Sequence, residues 1–228
     1  MESGENSGAD DEQILRLARS LCEQLNCPSV SPVRVSWQEQ YSRNRYSHDK
    51  YGNPIGRSVT PHYPLLDKGS LVLNPLLRGE LGIEDWRPLL ASSVIFYARL
   101  SASVNRRAAL RFAPALLLAL LLLLDLFLRG SIINGWWLVI LAVVMGATGV
   151  LGLYSSLLVS RKFMLRADKI VAEQMGTQPL LEALQKIQAL REMDEKEEKM
   201  TVWAWEANGK SPSLERRIRN LQSDTGPA

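Results

Sequence analysis

APALLLALLLLLDLFL (113–128) and IINGWWLVILAVVMGATGVLGLYSSLLV (132–159) are two nearly unbroken apolar runs, separated by Arg129-Gly130-Ser131. A helix rises about 1.5 Å per residue and bilayer hydrocarbon is about 30 Å thick, so the second run spans it easily and the first barely. The pattern predicts a two-helix transmembrane hairpin, with two water-soluble pieces joined at its base. Arg99, Arg106, Arg107 and Arg111 precede the hairpin, and Arg161, Lys162, Arg166 and Lys169 follow it, while Arg129 alone marks the tip. Segments rich in Lys and Arg stay in the cytoplasm, so both termini are expected there, in a plasma or inner membrane. Asp125 lies four residues before Arg129, the favourable order for a helical ion pair at the interface, with a functional intramembrane acid as the alternative. Gly146, Gly149 and Gly152 fall near one helix face and predict a close seam with the first helix or a partner.

The remaining composition narrows the function. The net charge of +3 over 228 residues is small. The positive residues cluster at the membrane, where lipid headgroups account for them without nucleic acid. Cys22 and Cys27 are the only cysteines, and a cytoplasmic site keeps them reduced. The N-terminus is acidic and polar, with no apolar leader, so insertion is expected to rely on the hairpin.

Taken in order, residues 1–9 read as a polar disordered tail. Residues 10–25 form an amphipathic helix, with Ile14, Leu17, Ala18, Leu21 and Leu25 on one stripe and Asn26-Cys27-Pro28 as its stop. Val33, Val35 and Trp37 alternate like a half-buried strand. Residues 38–60 are a basic, aromatic loop over the membrane surface, with a headgroup- or partner-binding role as the alternative. Gly69–Leu73 is a second strand, expected at a sheet edge. A helix from Gly82 buries Leu89, Leu90, Ser93, Phe96, Tyr97 and Leu100 and runs toward the hairpin, broken near Pro114. Further helices cover 160–175 and 178–199, Gly176 ending the first. The charge run at 192–199 is a solvated face, and Trp203 and Trp205 suit a core or an interface. A short helix with Pro212 in its first turn carries Leu214, Ile218 and Leu221 as an apolar seam. The fold class is α+β, mostly helical, with a small sheet.

Three motifs carry a resemblance: Gly69-Ser70-Leu71-Val72-Leu73-Asn74-Pro75, then Ser160-Arg161 with Ala167-Asp168, then Pro212-Ser213 with Arg217-Ile218 and Leu221. In this order around a hairpin, the chain resembles the HtpX-type membrane zinc metallopeptidases, relatives of the CAAX prenyl endopeptidases, over residues 10–221. The resemblance implies a gluzincin-like cytoplasmic domain split into 10–111 and 161–222 by a hairpin at 112–160, with a tail at 223–228. The family's zinc is held by H-E-x-x-H on the helix before the hairpin and a Glu on the helix after it. Its pattern places the first His at Ser92, the catalytic Glu at Ser93, the second His at Phe96 and the third ligand at Met164. Asp168 is retained as the residue that supports the site from behind. It is expected to pair with Arg161 or another nearby base.

Serine is a poor zinc ligand, and phenylalanine and methionine offer nothing to a hard divalent site. No catalytic residue, metal ligand or cofactor is therefore expected, and Phe96 and Met164 should fill the vacated place. His48 and His62 are the only histidines; a relocated site built on them is the residual-peptidase alternative. The expected function is that of an inactive peptidase-like membrane protein that binds or regulates a membrane-protein or peptide partner. Peptide would add along the expected Gly69–Leu73 edge. A Ser92–Ser93 nucleophile is a second reading, and lacks a neighbouring base. A small structural subunit of a larger membrane complex is the third.

Overall fold

The computed structural model describes residues 6–38, 40–41, 57–60, 62–67, 69–129, 135–196 and 211–223. They are mostly helical, with a small three-stranded mixed sheet. The chain divides into two units, one of Met1–Leu100 with Lys162–Ala228 and the other of Ser101–Arg161.

In the first unit, helix α1 (Asn6–Gln24) buries Ile14, Ala18, Leu21 and Cys22, one stripe at helical spacing. It starts at Asn6, inside the segment expected to be tail. Asn26, at φ 53, turns the chain out of the helix, and the amide of Cys27 donates to the carbonyl of Cys22 at 2.7 Å. Strands β1 (Arg34–Trp37), β4 (Leu65–Asp67) and β5 (Ser70–Leu73) form the sheet in the order β1-β5-β4. The expected edge at Gly69–Leu73 is therefore corrected: β5 is central, parallel to β1 on one side and antiparallel to β4 on the other. All four of its residues are buried, as a strand covered on both faces requires. Peptide cannot add along it. Two-residue strands β2 (Gln40–Tyr41) and β3 (Arg57–Ser58) pair antiparallel within the expected loop; residues 42–56, His48 included, lie outside the described residues.

Helix α2 (Ile83–Ile95) is the centre of this unit. Asp85 caps it by accepting from the Gly82 amide at 3.0 Å, and Lys186 donates to the same carboxylate oxygen at 2.7 Å. From Leu89 to Ile95 every side chain is fully buried, enclosed by α1, β4 and helix α5 (Thr177–Lys196). A helix apolar all round belongs in a core, not on a surface. A π-helical turn, Phe96–Leu100, follows it. Helix α5 supplies Leu180, Ala183, Leu184 and Ile187 as its inner stripe. The final helix α6 (Leu214–Gln222) is capped by Ser213, whose side chain accepts from the Arg216 amide. Pro212 thus precedes the cap rather than occupying the first turn.

The two remaining helices are α3 (Ser101–Arg129) and α4 (Gly135–Met175). Pro114 lies inside α3 and does not break it. No break occurs at Ser160 either: α4 runs 41 residues to Gly176, whose φ of +90 stops it. In the second unit the ring of Phe112 on α3 lies so close to Gly152 on α4 that a Cβ there would sit 2.8 Å from it, and Arg111 donates to the Ser155 carbonyl at 2.6 Å. Of the expected glycine seam, only Gly152 meets α3; beside Gly146 and Gly149 nothing described comes within 4 Å. The Asp125–Arg129 pair and Trp137 lie outside the described side chains.

Leu116, Leu117, Leu120, Val143, Val150, Leu151 and Leu153 each expose more than half of their surface. One helical segment among the described residues, Val143–Met175, is long and apolar enough to cross a membrane, and only 11% of its apolar window is buried. The hydroxyls of Thr148, Ser155 and Ser156 bond back to carbonyls of their own helix, which satisfies them without an outside partner.

Candidate functional site

Four segments of the first unit converge on one carboxylate. Asp168 on α4 is fully buried. Arg217 on α6, equally buried, grips it with both arms of its guanidinium, Nε to Oδ2 at 2.8 Å and Nη2 to Oδ1 at 2.6 Å. The third arm, Nη1, donates to the carbonyl of His62. Ser92 on α2 donates its hydroxyl to Asp168 Oδ1 at 2.5 Å. The partner of Asp168 is therefore Arg217, not Arg161. The reason lies in position: Arg217 sits between Leu214 and Ile218 on the inner face of α6, so its side chain enters the core with them.

Thr60, His62 and Tyr63 close the cluster. His62 is buried, and its Nε2 lies 3.0 Å from the carbonyl of Pro212. A carbonyl only accepts, so Nε2 carries the proton. Burial, reinforced by the charge of Arg217, lowers the His62 pKa to about 3, and the ring stays neutral. Tyr63 stacks beneath the Arg217 guanidinium, 5.0 Å from centroid to Cζ, and its hydroxyl donates to the Ser92 carbonyl at 3.4 Å. Burial, then the nearby Asp168 charge, pushes the phenol well above its ordinary pKa. Thr60 and Ser211 join their hydroxyls at 2.9 Å.

The expected site positions fall around this cluster. Ser92 and Phe96 lie four residues apart on one face of α2 and its π-helical extension, and both meet Tyr63, Phe96 by an edge-to-face ring contact of 5.9 Å. Met164 is buried on α4, one turn before Asp168. The ring of Phe96 packs on Tyr63 and Tyr97. Ser93 is fully buried and its hydroxyl has no hydrogen-bond partner among the described residues. His62 is held by Pro212, so its Nε2 has no lone pair to give a metal. Among the described residues no group of three His, Cys, Asp or Glu side chains is arranged to hold a metal ion.

The cluster offers little chemistry to a substrate. Ser92, Asp168 and Arg217 have no exposed surface, and each polar arm is already spent on a neighbour. The sequence points to Ser92, Ser93, Phe96, Met164 and Asp168, offers His62 only as half of a relocated metal site, and gives no role to Arg217 or Tyr63. The signal for Arg217 is its spacing: a charge three residues after Leu214 and four before Leu221 sits on the apolar seam. No family model, curated protein or solved structure matches this chain.

Proposed function

We propose that this chain is a membrane-inserted, peptidase-like scaffold without catalytic activity, which acts by binding a membrane-protein or peptide partner. The observation that carries the reading is the Ser92–Asp168–Arg217 cluster. In the register of the resembled zinc peptidases, the carboxylate at 168 supports the metal site from behind, and the first ligand of that site falls at 92. Here the two side chains do meet, at 2.5 Å, but the residue supported is a serine. The neighbouring ligand positions hold Phe96 and Met164, and the position of the base holds Ser93. A scaffold that keeps its supports and has apolar groups where ligands belong can organise a surface but not activate water. Helices α3 and α4 form the hairpin that anchors it, with both termini cytoplasmic, supported by the flanking Arg and Lys residues and the exposed apolar side chains.

The test is to rebuild the site. A variant with Ser92→His, Ser93→Glu, Phe96→His and Met164→Glu should bind one zinc per chain once circular dichroism shows that it is folded. A folded variant that takes up no zinc rejects the register and the scaffold with it. A second reading, a small subunit of a larger membrane complex, is favoured by the open space beside Gly146 and Gly149 on α4, where another helix can approach closely. Under that reading Gly149→Leu weakens co-purification of a stable partner, and under the first it does not.

A further inference from the structure

The turn that closes α1 brings two thiols together. Asn26 takes the left-handed conformation, its amide donates to the carbonyl of Glu23 at 3.0 Å, and the amide of Cys27 donates to the carbonyl of Cys22 at 2.7 Å. This pair of bonds, six-to-one outside and five-to-two inside, defines a Schellman turn. The residues joined by the outer bond carry the side chains that meet across such a turn, normally an apolar contact. Here those residues are Cys22 and Cys27. Neither is in a disulfide, the Cys27 thiol donates to the Leu25 carbonyl at 3.2 Å, and both are covered, 0% and 4% exposed. Burial first, then the neighbouring Cys27 and Glu23, pushes the Cys22 thiol up to about 11.

We propose that Cys22 and Cys27 are a redox-active dithiol site, converted to an intrachain disulfide by a low-molecular-weight disulfide such as oxidised glutathione. Cys27 is the entry point, since it alone keeps some exposure. Its thiolate attacks one sulfur of the small disulfide, forms a mixed disulfide and releases one thiol. Cys22 loses its proton and displaces the second thiol, which closes the Cys22–Cys27 bond. The protein gives up two electrons and two protons, and the small disulfide becomes two thiols. The reduced turn is also tied to the π-helical segment, through Arg99 Nη2 on the carbonyl of Leu25 and the Pro28–Val30 turn against Phe96–Leu100. Oxidation therefore acts at the end of the core helix that carries Ser92 and Phe96.

The experiment equilibrates the full-length, detergent-solubilised protein in glutathione buffers of rising oxidised-to-reduced ratio. The remaining thiols are then alkylated under denaturing conditions and counted by intact mass. The native chain should lose both alkylatable thiols together, with the mass of two hydrogens, at a ratio about tenfold lower than the same chain unfolded in urea, because the folded turn holds the attacking sulfur in place. Asn26→Val, which resists the left-handed conformation, should move the native midpoint toward the unfolded one. Cys22→Ser should stop at a single glutathione adduct on Cys27. A native midpoint no lower than the unfolded one overturns the proposal. So does closure into dimers instead of an intrachain bond, or a Cys22→Ser chain that gains no adduct.

Discussion

Asp168 accepts from Ser92 and twice from Arg217, and all three residues lie out of reach of water. Removing one partner of such a pair leaves an uncompensated buried charge. Asp168→Ala is expected to destabilise the first unit by about 3–5 kcal/mol, read as a shift of the chemical-denaturation midpoint. Ser93 behaves in the opposite way. Its hydroxyl is buried without a partner among the described residues, so Ser93→Ala should be neutral or stabilising by about 1 kcal/mol in the same assay. If Ser93 were a nucleophile held ready for chemistry, a hydrolase-reactive probe would label the parent and not this variant. His62 sets a pH dependence. Its folded pKa lies near 3 and its ordinary value near 6.5, so between these the unfolded chain binds a proton that the folded chain does not. Stability then rises with pH in this window and falls on acidification below about 6.5, by up to about 1.4 kcal/mol per pH unit. His62→Gln should flatten that slope between about pH 4.5 and 6.5, above the range where ordinary carboxylates titrate. At this scale the sequence showed one buried face of α2, since Leu89, Leu90, Ser93 and Phe96 repeat at helical spacing, and missed that Ala91, Ser92, Val94 and Ile95 on the other faces are buried as well. It did not reveal Arg217 as the partner of Asp168, because Arg216, Arg217 and Arg219 together look like a solvated basic face. Spacing separates them, since Arg217 alone of the three falls on the seam of Leu214, Ile218 and Leu221.

The helices were legible as elements, and their junctions were not. Pro114 looked like a break but is carried within α3, and the irregularity falls instead at Phe96–Leu100, where no proline or glycine announces it. The end at Ser160 was inferred from a change of composition, yet backbone hydrogen bonding continues across it in α4. Strand β4 went unread because Leu65-Leu66-Asp67 is too short for a period of two to show. Without β4, the continuous apolar run of β5 passed for an edge. Packing within the second unit gives a prediction of its own. Gly152→Ala places a Cβ against the ring of Phe112 and should lower the thermal midpoint in detergent, and adding Phe112→Ala should recover part of the loss. Recovery that fails to appear would mean that the two helices do not meet there.

For the whole molecule, the sequence separates two kinds of apolar helix. Side chains apolar all round occur in α2, where they are buried, and in α3 and α4, where many are exposed. The first pattern makes a core, and the second includes the one described segment long and apolar enough to cross a membrane, Val143–Met175 on α4. A hairpin with cytoplasmic ends predicts that, in a chain lacking Cys22 and Cys27, Ser131→Cys is labelled by an impermeant maleimide from outside intact cells and Ser223→Cys is not. The reverse pattern, or labelling of both, would refute the topology. Function is the scale at which the sequence said least directly, because the proposal rests on residues that replace chemistry instead of performing it. The most direct test of the central claim is elemental analysis of the detergent-purified protein, beside cleavage of an unfolded protein substrate. The account predicts zinc well below one atom per chain and no cleavage above a buffer control. One zinc per chain, with cleavage that a chelator abolishes and zinc restores, would contradict it.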